Sequence, residues 1–326
     1  MFYGKSACPK MNRTEEPAGT MEIRGLSRRT FLRYAAGAAG MLLPFPLRAA
    51  GMAFSAWDET DRERLDSWLR TLRAEGLGNA SVPLGRAVAR VGELALGAPY
   101  AAATLEQYLA DGGSPEAEPL TLHLLKFDCV SLVEAALAVA RTAAAPDAGW
   151  GRFAAEVERM RYRGGVRRGY DSRLHYFSEW MRDGDQRGLL RDLGPGLGAV
   201  PDARPLRFMS EHRGSYPALR DDATFEAIVQ RERALDCCPR NVVPRARIPE
   251  ATGRLETGDV LAFATSIAGL DVTHTGLAYR DRAGVMRVLH APLSGGVVQV
   301  SSGTVAEYVN GLRSATGILA ARPLRG

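Results

Sequence analysis

Cys129 is the residue of this chain best placed to act as a nucleophile. It stands in Phe127-Asp128-Cys129-Val130-Ser131-Leu132-Val133-Glu134, after which apolar side chains recur at Leu132, Val133, Ala136, Leu137 and Ala140, the spacing of one helix face. Asp128 is a favoured N-cap residue, so Cys129 is expected in the first helical turn. There the positive end of the helix dipole favours thiolate, the nucleophilic form. A solitary cysteine is more often a buried structural thiol. Two histidines downstream change that balance: His274 in Thr273-His274-Thr275-Gly276-Leu277-Ala278-Tyr279, and His290 in Val288-Leu289-His290-Ala291. A cysteine opening a helix, with histidines on distant strands, is the layout of a cysteine hydrolase.

The segment Asp281-Arg282-Ala283-Gly284 between the histidines reads as a hairpin turn. The midpoint of positions 274 and 290 is 282, inside that turn, so His274 and His290 are expected to face each other directly across an antiparallel ladder, Cβ atoms roughly 4.5–5.5 Å apart. A one-residue slip would put them on opposite faces, which a bulge at Gly284 could restore. In register, His274 is the base beside the thiol and His290 holds its tautomer.

These residues need elements to position them. Leu65, Trp68, Leu69 and Leu72 mark a first amphipathic helix, and a second covers about 85–96 before Gly97-Ala98-Pro99-Tyr100. Residues 111–119 form a Gly/Pro/Glu loop, and the Cys129 helix follows. Phe153, Val157 and Met160 share a helix face, as do Phe225, Ile228, Val229 and Leu235. From Gly258 onward the pattern turns strand-like: Val260–Ala264, the His274 strand, the His290 strand and Val297–Val300. Helices first and an antiparallel meander last predict an α+β fold with the Cys129 helix packed on the sheet.

Ser27-Arg28-Arg29-Thr30-Phe31-Leu32 has the form of a twin-arginine export signal. The apolar stretch from Tyr34 to Leu47, interrupted by Pro44 and Pro46, is too short to span a bilayer, which points to a cleaved leader over residues 1–55, ending near Ser55. Met21 is an alternative start. Residues 56–326 then form one catalytic domain, exported to the periplasm or cell envelope, with no stable membrane span after cleavage. Residues 1–55 carry eight Lys/Arg and three Asp/Glu, which leaves the formal charges of residues 56–326 balanced, so the overall charge of +5 makes no case for nucleic acid. Cys8 goes with the leader; Cys129 and the adjacent Cys237-Cys238 remain, too few for a disulfide scaffold, and adjacent cysteines rarely bridge. No CxxC or HExxH pattern supports a metal site, and no cofactor is expected.

Gly-Ala-Pro-Tyr, Asp-Cys opening a helix, Thr-His-Thr-Gly-Leu-Ala-Tyr and Leu-His-Ala together resemble the NlpC-like cell-wall cysteine hydrolases, papain-like in fold. More narrowly they resemble the N-acetylmuramoyl-L-alanine amidase-like branch, formerly a domain of unknown function. Arg161-Tyr162-Arg163-Gly164-Gly165, Gly269-Leu270-Asp271-Val272-Thr273-His274 and above all Ser172-Arg173-Leu174-His175-Tyr176 carry that narrower likeness, which spans nearly all of residues 85–320. It departs from the pattern at Val130-Ser131, where Thr or Ser-Gly is usual, and at Cys237-Cys238. The resemblance implies a papain-like NlpC-type core with helical insertions, Cys129 as nucleophile, His274 as base and His290 as orienting residue. It also implies peptidoglycan fragments (muropeptides) as partners and cleavage of the amide joining the lactyl group of N-acetylmuramic acid to L-alanine.

For that chemistry the backbone N–H of Cys129 would hold the oxyanion, with Asp128 beside it and the Tyr100 hydroxyl as a second donor. Ser172, Arg173, His175 and Tyr176 are expected along the pocket wall. Of the arginines Arg159, Arg161, Arg163, Arg167, Arg168 and Arg173, most read as a solvated turn, and Arg173 stands apart from them. His123 and His212 have no constellation around them and read as structural. Two competing readings are a γ-D-glutamyl endopeptidase acting on stem peptides and a non-catalytic module that binds cell-wall fragments.

Overall fold

The computed structural model describes residues 60–326, so the leader and its cleavage site lie outside the described residues. Helix α1 (Asp61–Ala74) starts at a capping box in which Thr60 and Glu63 each satisfy the other's backbone N–H, and it buries Leu65, Trp68, Leu69 and Leu72. Helices α2 (Leu84–Leu94), α3 (Cys129–Ala144), α4 (Trp150–Arg161), α5 (Phe177–Gln186) and α6 (Asp222–Ala234) follow, and α7 (Val305–Gly311) comes late in the chain. Every residue of α3 from Ser131 to Ala143 is buried. The sequence predicts one apolar face, but α1, α2, α4 and the sheet surround this helix, and an Ala-rich surface tolerates such close approach on all sides. Among the described residues no helix is long and apolar enough to cross a membrane.

The strands are β1 (Leu190–Asp192), β2 (Val200–Asp202), β3 (Arg240–Pro244), β4 (Val260–Thr265), β5 (Val272–Arg280), β6 (Met286–His290), β7 (Gln299–Val300) and β8 (Ala315–Pro323). They form one antiparallel sheet in the order β2-β3-β8-β4-β5-β6-β7, with β1 also on β8. The meander expected after Gly258 is β4-β5-β6-β7, and the fold is α+β. β8 was not expected. It lies between β3 and β4, buried on both faces, so its Gly-Ile-Leu-Ala-Ala core lacks the alternation that marks a half-exposed strand. Val260, Ala262 and Ala264 of β4 pack into the core shared with the helices, and Leu261 and Phe263 into a second core with Val305 and Val309 of α7. The core around α3 covers one face of the sheet and the core around α7 the other, and Cys129, at the start of α3, lies within electrostatic reach of Tyr308 on α7.

Candidate active site

Asp128 caps α3 as expected. Its Oδ1 accepts the Ser131 N–H at 2.7 Å, and Ser131 Oγ accepts the Asp128 N–H at 2.9 Å. Cys129 is thus the first helical residue. The β5 strand is fastened to this end of the helix, because Thr275 Oγ1 donates to the Cys129 carbonyl at 2.9 Å. The surroundings of the thiol disfavour thiolate. Burial, then the Asp128 carboxylate, push it up to about 12, against hydrogen bonds from Thr275 that favour the anion. Desolvation of a charged sulfur thus works against the preference for thiolate that the helix dipole creates.

His274 and His290 are brought together, by a register different from the one expected. Leu277 stands opposite Leu289 and Ala278 opposite Val288, which puts Gly276 rather than His274 level with His290. The connection runs over residues 281–285, where Asp281 Oδ1 accepts the N–H groups of Ala283 and Val285 at 2.9 Å and Gly284 adopts φ 81°. Retaining Val285 in the turn moves its centre one position along and the ladder by two, so the imidazoles stay on one face as diagonal neighbours. His274 Nε2 lies 2.8 Å from His290 Nδ1. Gly276 makes this possible: a Cβ there would come within 2.9 Å of the Leu289 carbonyl and 3.1 Å of His290 Cβ.

Both imidazoles are neutral at rest. Burial, then the neighbouring His290, lowers His274 to about 3, and burial lowers His290 to about 4. Phe263, opposite His274 on β4, stacks on its ring at 5.7 Å, and Tyr308 of α7 meets His290 edge-on at 4.9 Å and Phe263 at 5.1 Å. The Tyr308 hydroxyl is 3.2 Å from His290 Nδ1. Burial, then a negative charge on Cys129, push Tyr308 up to about 12; the same two causes and Asp128 raise Tyr100. Both phenols therefore lie within the electrostatic reach of the thiol. Sequence reasoning missed Phe263 and Tyr308: neither sits at a spacing that ties it to His274 or His290, and only the sheet brings them there.

Ser172, Arg173, His175 and Tyr176 each have internal partners. Ser172 Oγ donates to the Gly169 carbonyl at 2.6 Å and accepts the Arg168 N–H, closing a turn. Arg173 is buried against Glu106 at 2.5 Å and Glu118 at 3.4 Å, with its guanidinium over the Tyr170 ring. His175 Nε2 contacts the Tyr170 carbonyl at 2.8 Å, and burial, then Arg173, hold it well below the usual imidazole range. Tyr176 donates to Glu232 at 2.6 Å inside the core around α6. The segment expected as a pocket wall is thus tied to internal partners. Among the other arginines, Arg161 is buried on Glu134 at 2.8 Å, and Arg163 chelates Glu179. The Cys237 and Cys238 sulfurs stand 4.0 Å apart, and Cys238 lines a cavity of about 260 Å³ with Arg182, Arg240 and Asn241, whose lining does not include Cys129.

Residues 90–318 match the family model described as N-acetylmuramoyl-L-alanine amidase-like. The chain belongs to that family. Among solved structures, this amidase-like chain is similar to an N-acetylmuramoyl-L-alanine amidase from Bacteroides uniformis, at 28% identity and TM-score 0.68, over 74% of this chain and 99% of the other. It is also similar to a Bacteroides fragilis protein described as a xylanase candidate, at 31% identity and TM-score 0.65, over 71% and 99% of the two chains. A Legionella pneumophila protein of the DUF1460 family aligns over 81% and 94% with TM-score 0.59, and at 18% identity that likeness concerns the fold alone. No curated protein is a significant match. The family and the Bacteroides uniformis amidase make the chain a cell-wall amidase in the general sense.

Proposed function

We propose that this amidase-like chain is an exported cysteine amidase that hydrolyses the bond between the lactyl group of N-acetylmuramic acid and L-alanine, on a papain-like NlpC-type core. The observation that carries the reading is the 2.8 Å contact of His274 Nε2 with His290 Nδ1, on the strand whose Thr275 is bonded to Cys129 at the start of α3. With Nε2 so engaged, His274 has Nδ1 left for the thiol.

Because thiol and imidazole are both neutral at rest, proton transfer accompanies attack. Cys129 Sγ bonds to the lactyl carbonyl carbon while His274 Nδ1 takes the thiol proton, and the backbone N–H of Cys129 meets the oxyanion. His274 then gives that proton to the alanine nitrogen, the C–N bond breaks, and a thioester remains. Water, losing a proton to His274, adds to the thioester carbonyl; the C–S bond breaks, the sulfur takes the proton back, and the lactyl carboxylate leaves. His290 keeps the Nε2–H tautomer of His274 throughout.

A glycosidase site needs two carboxyl groups flanking the scissile bond. Here Asp128, the carboxylate next to Cys129, is held in the helix cap, which favours amide chemistry. Periplasmic or cell-envelope localisation rests on the twin-arginine motif of residues 27–32.

The test is to mix residues 56–326 with a disaccharide-tripeptide, quench in acid and weigh the protein. An adduct on Cys129 equal to the peptide-free muramyl disaccharide is expected. An adduct that retains L-alanine and D-glutamate would instead identify a γ-D-glutamyl endopeptidase.

A further inference from the structure

An orienting residue works only if it is itself oriented. His290 is buried, and its Nε2 has no hydrogen-bond partner among the described residues. Among the described residues its ring is hydrogen-bonded through Nδ1 alone, which has two neighbours: His274 Nε2 at 2.8 Å and the Tyr308 hydroxyl at 3.2 Å. The first of these is the group that His290 has to orient. Tyr308 is then the one anchor that does not depend on the base.

We infer that Tyr308 is a positioning residue of the Cys129 site, holding His290 so that Nδ1 rather than a ring carbon faces His274. The inference rests on the proposed roles of Cys129 and His274. Tyr308 itself is well fixed. It lies on α7, whose start is locked by a capping box between Thr304 and Glu307, and its ring is wedged between His290 and Phe263. A half-turn of the His290 ring about its Cβ–Cγ bond would exchange Nδ1 for a carbon and end the contact with His274. In the present orientation the single lone pair of Nδ1 is shared by two donors, the His274 Nε2–H at 2.8 Å and, more weakly, the Tyr308 hydroxyl at 3.2 Å, and both favour Nδ1 over a ring carbon on this side. Phe263 and Tyr308 also cover the histidine pair, which strengthens a hydrogen bond by excluding water.

The readout must not depend on the substrate. Alkylation of Cys129 by iodoacetamide serves, since it reports how well His274 activates the thiol whichever bond the enzyme cleaves. Tyr308→Phe keeps the ring packing and removes the hydroxyl. It should slow alkylation at pH 7 about tenfold, with an unchanged melting temperature, and His290→Ala should slow it at least as much. The double variant Tyr308→Phe/His290→Ala should be no slower than His290→Ala alone, because two residues acting through one ring are not additive. With a muropeptide substrate the same loss should appear in kcat and leave KM within about twofold. Alkylation in Tyr308→Phe within twofold of the parent, or additive losses in the double variant, would overturn the inference. Wild-type protein that alkylates normally but cleaves no muropeptide would fault the substrate assignment and leave the Tyr308 comparison standing.

Discussion

His274 and His290 hydrogen-bond at 2.8 Å although they are not opposite each other in the ladder; Gly276 is the residue level with His290. The pair is diagonal and reaches across the space that a glycine leaves open. Its consequence for catalysis is an ordering of variants. His274→Ala should reduce kcat by about 10³-fold or more, the loss of a general base and acid. His290→Asn should cost about 10- to 100-fold, the scale for losing a partner that orients a catalytic group. Steady-state kinetics on a muropeptide checks the order, and equal losses would mean that His290 does more than orient.

Gly276→Ala isolates the geometry from the chemistry. The added methyl meets a backbone carbonyl at 2.9 Å, Val288 Cγ1 at 3.0 Å and His290 Cβ at 3.1 Å, so β6 has to shift. A loss of about 1–3 kcal/mol in stability is expected, with a fall in kcat larger than that of an equally destabilising change remote from the site. Urea unfolding and kinetics measured side by side decide it.

The candidate site was legible in the sequence wherever chemistry and local spacing coincide. Asp128 before Cys129 announced a capped helix, and the 274–290 spacing announced two histidines on one face. The register was off by one pair because nothing in Asp281-Arg282-Ala283-Gly284 says whether Val285 belongs to the turn or to the strand. Strand β8 escaped because a strand covered on both faces has no alternation to detect. Tyr308 and Phe263 escaped because their role comes from tertiary contact alone. Arg173 was legible as special but not in kind: its burial between Glu106 and Glu118 depends on how the 101–121 loop folds back.

That burial gives a prediction about stability. Arg173→Met leaves two largely buried carboxylates facing each other and should cost about 3–5 kcal/mol. Burial already raises Glu118 against the pull of the Arg173 guanidinium, and without the guanidinium it rises further. A folded-state carboxyl above its unfolded value binds a proton that the unfolded chain has released, so the deficit should grow as pH rises and shrink toward pH 5. Denaturant unfolding at pH 5 and pH 8 tests it; equal deficits would place the loss in packing rather than charge.

The buried histidines make stability pH-dependent where activity is not. His274 and His290 stay neutral in the folded chain down to about 3 and about 4, and His175 is held low as well. The unfolded chain takes up protons at these positions as pH falls through about 6.5. Stability is therefore intact above that value and should decline from pH 6.5 toward 4, by up to about 1.4 kcal/mol per pH unit for each histidine. kcat/KM should stay flat from pH 5 to pH 8, because the base is still unprotonated. An acid limb near 6.5 would show that His274 titrates as an exposed imidazole.

The account turns on which bond Cys129 cleaves, and the product masses from a disaccharide-tripeptide test that most directly. Residues 56–326 should yield an intact tripeptide with a free L-alanine amine and a disaccharide ending in a lactyl carboxylate, and the Cys129→Ala chain should yield neither. A split after D-glutamate, or the same products from Cys129→Ala, would contradict it.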